Sequence, residues 1–168
     1  MSSLPHDQAL RSVGMAVAAA LPQGAVYLDT STVSQRVSAE VARACEAAGV
    51  DYLRTTVSGN NHMAEAAQLT VMASGPQAVH ERLLPLLRCW GPNHFYLGNA
   101  EQARLMKLVV NLMIAQTSAM LSEALTLGQK GGLAWADMWQ VITASAVASP
   151  IVKAKSAQLS QRDFTPTF

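Results

Sequence analysis

With 168 residues, half of them hydrophobic and 14% charged, the chain is long enough for a real core and too apolar to be disordered. Its formal net charge is +1 and it has no basic run interleaved with aromatic residues, so nucleic acid is not expected as a partner. Cys45 and Cys89 are too few and too far apart for a metal site or a disulfide framework. We expect both to be small core residues in a reducing compartment, and we predict no metal site.

The residues from Met1 to Leu10 lack the basic and apolar regions of a signal peptide. The longest apolar stretch is interrupted by Lys107 and Asn111, so no membrane span is expected either. These features predict a cytoplasmic location.

Strands and helices alternate along the first part of the chain. Short apolar runs bounded by turn residues are typical of buried strands, and they lie at residues 25–28, 50–54, 69–73 and 94–97. Helical patterns lie before and between them, at residues 7–21, 35–48 and 77–90, with Ser34 as N-cap of the second. This alternation predicts an α/β domain over residues 1–97.

The longest helical pattern runs from Gly98 to Gly131, contains no proline, and would be on the order of 45 Å long. It is apolar nearly all round, which suits a helix buried on several sides. Two shorter helices are predicted at residues 134–146 and 151–159, so residues 98–168 form an all-α domain and the boundary lies at Gly98. The long helix has more apolar surface than this chain covers easily, which predicts a homodimer.

Two polar residues of the long helix, Lys107 and Asn111, are four positions apart and therefore share a face, and Ser118 and Ser122 continue it. An unpaired ammonium among aliphatic side chains has a lowered pKa, which makes Lys107 a candidate for proton transfer. The alternative is a lysine that reaches water along an apolar surface and an asparagine that bonds a neighbouring backbone group. Spacing alone favours this alternative.

Two polar loops follow the first two predicted strands. The first contains Ser31 and Thr32, at the edge where α/β sheets bind ligands. The second contains Ser58, Gly59 and Asn60, whose backbone N–H groups could hold a carboxylate or a similar anion. By itself the second loop is more typical of an ordinary polar turn.

Taken together, these segments resemble the β-hydroxyacid dehydrogenase family, the 3-hydroxyisobutyrate dehydrogenase-like enzymes. The matching segments keep the family's order and spacing, and they are residues 28–34, 49–59, 64–75, Gly98 with Lys107 and Asn111, the pair Glu123 and Ala124, and residues 163–168. The resemblance implies part of a Rossmann-like dinucleotide-binding domain over residues 1–97. It also implies the first part of a helical dimerisation and substrate domain over residues 98–168.

The resemblance also implies an activity, the exchange of a hydride between NAD or NADP and a small β-hydroxy acid. The resemblance implies that Lys107 is the general acid or base and that Asn111 orients the substrate hydroxyl or the lysine. Ser58, Gly59 and Asn60 correspond to the loop that holds the substrate carboxylate. Ser31 and Thr32 correspond to residues near the nicotinamide end of the cofactor.

Several features depart from the family pattern. No G-x-G-x-x-G turn for a pyrophosphate is present, since Gly14 stands alone and Gly131 lies in the helical half. The chain therefore resembles a family member truncated at both ends, and we expect it to be inactive alone. Arg54 begins a triplet that is usually Asp-Ala-Pro, which leaves the substrate open. Ile114 replaces the glutamate of the 6-phosphogluconate branch.

Two further hypotheses remain beside the oxidoreductase. In one, the chain is a non-catalytic remnant whose helices only dimerise. In the other, it is an anion-binding module that uses Ser58 and Gly59.

Overall fold

The computed structural model of the chain describes residues 1–165. It divides into two compact units, Met1–Val110 and Asn111–Phe168. The elements are, in chain order, α1 (Asp7–Ala20), β1 (Val26–Asp29), α2 (Gln35–Ala47), β2 (Asp51–Ser58), α3 (Asn61–Glu65), β3 (Thr70–Ser74), α4 (Gln77–Leu87), β4 (Asn93–Tyr96), α5 (Gln102–Lys130), α6 (Trp135–Ala144) and α7 (Pro150–Leu159). Residues 166–168, which end the last family-like segment, lie outside the described structure.

The first unit contains a mixed four-stranded sheet in the order β1-β2-β3-β4. The outer pairs β1–β2 and β3–β4 are parallel, whereas β2 and β3 are antiparallel, with Thr55 opposite Ala73. Residues 59–69, which include the short helix α3, connect β2 to β3. This connection is too short for the crossover that a parallel pair needs, so the two strands are antiparallel. The predicted fold class, a partial Rossmann-like α/β domain followed by helices, is confirmed.

Helices cover both faces of this sheet. On one face α1 and α2 pack over β1 and β2, around a core that includes Leu10, Tyr27, Val37, Val41 and Tyr52. Helix α4 lies on the other face, where the core consists of Leu28, Leu53, Val79 and Leu87. The polar residues at the carboxyl end of β1 are thereby held between packed layers.

The first unit also shows which local predictions hold. Ser34 is the N-cap of α2, since its hydroxyl accepts the Val37 N–H at 3.3 Å. The Asp7 carboxylate in turn accepts the Ser34 N–H at 2.8 Å and the Ser34 hydroxyl at 2.7 Å, and these bonds lower the pKa of Asp7. Cys45 is buried as expected, but the prediction for Cys89 is wrong: α4 ends at Leu87, and the thiol lies in the exposed turn beyond it.

The second unit is helical. Helices α6 and α7 pack with the later part of α5 around Leu121, Leu125, Met138, Trp139 and Val152. The Trp135 indole N–H donates to the Ser160 carbonyl at 2.8 Å, which ties α6 to the end of α7.

Helix α5 is far more exposed than the sequence predicted. Leu112, Met113 and Leu127 are 60%, 68% and 75% exposed. The expectation of a helix buried on several sides is therefore wrong for this chain, because the other described residues cover only a small part of its surface. By length and a mean hydropathy of 1.4, α5 could cross a membrane, so Lys107 and Asn111 do not exclude a span on composition alone.

The two compact units meet inside α5, after Val110, whereas the sequence places a boundary at Gly98. The first turn of α5 belongs to the first unit because Ala103 and Arg104 are buried there, 0% and 1% exposed. The boundary at Gly98 stays a prediction.

Candidate active site

The first turn of α5 is bonded to the middle of the sheet. The Ser74 hydroxyl, at the end of β3, donates to the Ala100 carbonyl at 2.7 Å and accepts the Ala103 N–H at 3.1 Å. The Thr56 hydroxyl of β2 donates to the Ala103 carbonyl at 3.0 Å. These bonds place the start of α5 against the strand that leads into Ser58.

Lys107 follows one helical turn after Ala103. Its side chain is half-buried, and no hydrogen bond or ion pair among residues 1–165 involves its ammonium. Burial lowers the pKa of Lys107, in the direction expected from its apolar surroundings. A lysine in this state can exchange a proton closer to neutral pH than an exposed one.

Asn111 is half-buried one turn further along the same helix. Beyond it, the Ser118 hydroxyl donates to the Ile114 carbonyl at 3.1 Å and the Ser122 hydroxyl donates to the Ser118 carbonyl at 3.0 Å. These two hydroxyls donate to backbone carbonyls of their own helix. Within this stripe, Lys107 and Asn111 are therefore the residues whose N–H donors remain available to a ligand.

The predicted anion-holding loop lies at the end of β2. Ser58 is half-buried, and Gly59 has φ = +144°, a region that favours glycine. A Cβ at Gly59 would lie 2.5 Å from Leu69 Cδ2, so a larger residue would also displace the Leu69 side chain. Asn60 is the N-cap of α3, and its side-chain carbonyl accepts the Met63 N–H at 2.9 Å. Only its amide group is therefore open to a ligand.

The predicted cofactor residues at the end of β1 differ in exposure. Ser31 is buried, and its hydroxyl donates to Asp29 Oδ1 at 2.6 Å and accepts the Leu4 N–H at 2.8 Å. The side chain of Thr32 is exposed. In this loop Thr32 is the side chain that can meet a ligand, whereas Ser31 holds the loop in place.

Next to this loop lies a buried ion pair that sequence reasoning missed. The guanidinium of Arg104 and the carboxylate of Asp29 are both 0% exposed and bonded through Nη2 and Oδ2. Arg104 Nη2 also donates to the Tyr52 hydroxyl at 2.9 Å, Nε donates to Ser38 Oγ at 3.2 Å, and Nη1 donates to the Ser31 carbonyl. Burial raises the pKa of Tyr52 to about 12. The phenol therefore remains protonated at neutral pH and acts as a donor and acceptor.

Two sequence signals mark this pair in retrospect. Asp29 ends an otherwise apolar strand, and Arg104 is a charge in an apolar helix, three positions before Lys107. Neither signal identifies the partner, because the two residues are 75 positions apart.

Arg54 is the first residue of the triplet that departs from the family pattern. Its side chain is buried and forms an ion pair with Glu101, in the segment before α5. Its guanidinium also lies 4.7 Å from the centre of the Tyr52 ring. This unusual residue therefore connects the sheet to the start of α5 through Glu101.

Two family models match the chain. Residues 1–98 match the NAD binding domain of 6-phosphogluconate dehydrogenase, and residues 102–168 match the NAD-binding domain of NADP-dependent 3-hydroxyisobutyrate dehydrogenase.

Individual proteins agree with these models. The chain is 30% identical to glyoxylate/succinic semialdehyde reductase 1 of Arabidopsis thaliana, over 87% of the chain and 50% of the relative. It is 34% identical to 2-(hydroxymethyl)glutarate dehydrogenase of Eubacterium barkeri, over 83% of the chain and 46% of the relative. A crystal structure of 3-hydroxyisobutyrate dehydrogenase from Salmonella typhimurium superposes with a TM-score of 0.86 at 26% identity, covering 99% of this chain and 59% of that one. The chain thus spans about half the length of the curated relatives it matches.

Proposed function

Because the chain belongs to the β-hydroxyacid dehydrogenase family, we propose that it is part of an NAD(P)-dependent oxidoreductase that acts on a small β-hydroxy acid or the corresponding carbonyl compound. The observation that carries this proposal is Lys107, a half-buried amine on the helix that begins against β2, with no counter-ion among the described residues 1–165. Homologues of this chain are dehydrogenases and reductases, which supports the reaction class.

In the proposed reaction Lys107 moves the proton. It accepts the hydroxyl proton when the alcohol is oxidised and returns it when the carbonyl is reduced. Burial helps in both directions, because a lowered pKa brings the neutral amine and the ammonium closer in free energy at neutral pH.

Asn111 and the loop at the end of β2 would hold the substrate. The half-buried amide of Asn111 lies on the same helix face and would orient the reacting hydroxyl or the Lys107 amine. The Ser58 hydroxyl, the Gly59 N–H and the amide of Asn60 would bind the carboxylate, since they are neutral donors at the end of one strand.

We place the nicotinamide end of the cofactor at the loop after β1. The exposed hydroxyl of Thr32 is neutral, and the loop that carries it is held by buried hydrogen bonds. When bound, NAD or NADP supplies or takes up the hydride. The chain contains no G-x-G-x-x-G sequence, so we propose no residues for the pyrophosphate.

The role of Lys107 is tested in a protein of the relatives' length that contains these residues. Reduction of glyoxylate or succinic semialdehyde, the compounds in the name of one relative, is followed by NADH or NADPH absorbance. Lys107→Ala should lower kcat by roughly 10²–10⁴-fold, the usual contribution of a general acid or base. Lys130→Ala, at the exposed end of the same helix, is the matched control. A Lys107→Ala enzyme with unchanged kcat and intact fold would refute the proposal.

For the 168 residues alone we propose weak or absent cofactor binding, because a large part of the usual affinity comes from the pyrophosphate. Titration with NADH, followed by the fluorescence of Trp90, Trp135 and Trp139, should give little quenching and no saturation. Tight saturable quenching would contradict this expectation.

We also propose that the chain forms a homodimer through α5. Met113, Met120 and Leu127 recur every seven positions and are 68%, 50% and 75% exposed, so they form an apolar stripe on one helix face. The same observation favours the second hypothesis, a non-catalytic remnant that only dimerises. The Lys107→Ala experiment separates the two, because a remnant has no activity for the substitution to lower.

A further inference from the structure

The guanidinium of Arg104 connects the carboxyl end of β1 to the helix that carries Lys107. Its side chain is fully buried in the first unit. Its hydrogen-bond acceptors belong to β1, the loop after β1, α2 and β2, and they are Asp29, Ser31, Ser38 and Tyr52. A single side chain therefore fixes the first turn of α5 to three other elements and the loop after β1.

We propose that Arg104 is a positioning residue, which sets the separation between the loop that holds Thr32 and the amine of Lys107. This inference rests on the proposed function, in which that loop meets the nicotinamide and Lys107 moves the proton. Arg104 touches neither group and acts through the loop and the helix.

The loop after β1 is held by both its side chains and its backbone. Asp29 Oδ1 accepts the hydroxyl of Ser31 at 2.6 Å and also that of Ser2. Arg104 bonds the other oxygen of Asp29 and, through Nη1, the backbone carbonyl of Ser31. The Thr32 side chain is exposed immediately after these anchored positions. A change at Arg104 therefore removes two bonds to α5, one from Asp29 at the end of β1 and one from Ser31 in the loop.

Helix α5 forms a rigid connection between Arg104 and Lys107. Lys107 is three residues after Arg104, which corresponds to a rise of about 4.5 Å along one continuous helix. A shift of the first turn is therefore passed on to Lys107. Proton transfer requires hydrogen-bond reach, and a misplacement of about 1 Å can cost about 100-fold in rate.

An arginine suits positioning better than it suits stability alone. A buried ion pair often stabilises a fold no more than apolar side chains of the same volume, because both charges lose their hydration. The guanidinium is a planar fork with five N–H donors in fixed directions, so it orients several acceptors at once. Here its three nitrogens reach four different residues.

The test uses the 168-residue chain with Asp29→Asn and Arg104→Met combined, which removes both charges of the ion pair but keeps the Oδ1 acceptor of Ser31 and Ser2 at position 29. The four lysines are labelled with isotope-enriched methyl groups, and Lys107→Arg identifies the Lys107 resonance. Two quantities are measured by NMR, the pKa of Lys107 and the amide hydrogen exchange of residues 30–32. Val41→Ala, in the fully buried core between α1 and α2, is the control for a general loss of stability.

In the double variant we expect exchange at residues 30–32 to accelerate by about tenfold or more, and the pKa of Lys107 to move towards its ordinary value near 10.4 as the helix turn loosens. The control should change neither quantity. The inference is overturned if the double variant leaves both unchanged, or if Val41→Ala changes both equally.

If the double variant does not fold, Arg104→Lys gives the answer. A lysine keeps the charge beside Asp29 but cannot bond Ser31, Ser38 and Tyr52 together, so exchange at residues 30–32 should still accelerate. Wild-type behaviour of Arg104→Lys in both measurements would also overturn the inference. None of these outcomes depends on activity, so failure here differs from failure of the proposed function, which is an unchanged kcat in Lys107→Ala.

Discussion

At the scale of the residue, Lys107 is a place where the proposed chemistry and the stability of the fold oppose each other. Its ammonium is half-buried and has no counter-ion in the part of the chain that the structure describes, so the folded state favours the neutral amine more than the unfolded state does. The folded pKa is therefore lower than the unfolded pKa, and the unfolded state binds more protons between the two. It follows that the contribution of Lys107 to stability increases as the pH rises through that window.

We predict that Lys107→Met raises the free energy of unfolding at pH 7 by about 1 kcal/mol or less, since water screens a half-buried charge. The advantage should be smaller at about pH 10 than at pH 7, because the folded amine releases its proton at a lower pH than the unfolded amine, whose pKa is about 10.4. Urea unfolding of both proteins at the two pH values measures the difference, and the exposed Lys130→Met is the control. A difference that grows with pH would contradict the assigned direction.

At the scale of the element, the contact between α1 and α2 depends on Gly14. A Cβ at this position would lie 2.7 Å from Val41 Cγ1 and 2.8 Å from Cγ2, and Val41 is fully buried. The sequence presented Gly14 only as an isolated glycine without a phosphate-binding motif. The structure assigns it a packing role, because two helices can approach closely where one side chain is absent.

We predict that Gly14→Ala lowers the free energy of unfolding by about 1 kcal/mol. Crowding of Val41 costs about 1–3 kcal/mol, and the better helix propensity of alanine returns about 1 kcal/mol. In a Val41→Ala background the same substitution should become neutral or stabilising, because the clash is removed. Urea unfolding of the four proteins in this cycle tests the contact, and equal effects in both backgrounds would refute it.

At the scale of the whole molecule, the apolar stripe on α5 is exposed to water, which is unfavourable unless another surface packs against it. Burial of one methionine or leucine side chain is worth about 1.5–3 kcal/mol, so a stripe of three can support association of two copies. A membrane or a further segment of a longer protein could cover the same residues. The oligomeric state distinguishes these cases from a homodimer, because in them the chain alone would be a monomer.

We predict a dimer in sedimentation velocity at micromolar concentration. Combined Met113→Glu and Met120→Glu should weaken it by more than about tenfold, since two apolar contacts are replaced by charges that repel across a symmetric interface. Leu86→Glu is the control, an apolar side chain of the first unit that is 51% exposed. A wild-type monomer would rule out the dimer.

The sequence by itself indicated the four strands and every helix except the short α3, the Ser34 cap, the direction of the pKa shift at Lys107 and the family, because each depends on local periodicity or on motifs in a fixed order. It did not determine the antiparallel step at β2–β3, the exposure of Cys89 or how little of α5 is covered. Only the tertiary structure brought Asp29 to Arg104 and Arg54 to Glu101. Such pairs lie far apart in the chain, and folding selects one partner among many charges by burial and hydrogen-bond geometry, which no local pattern records.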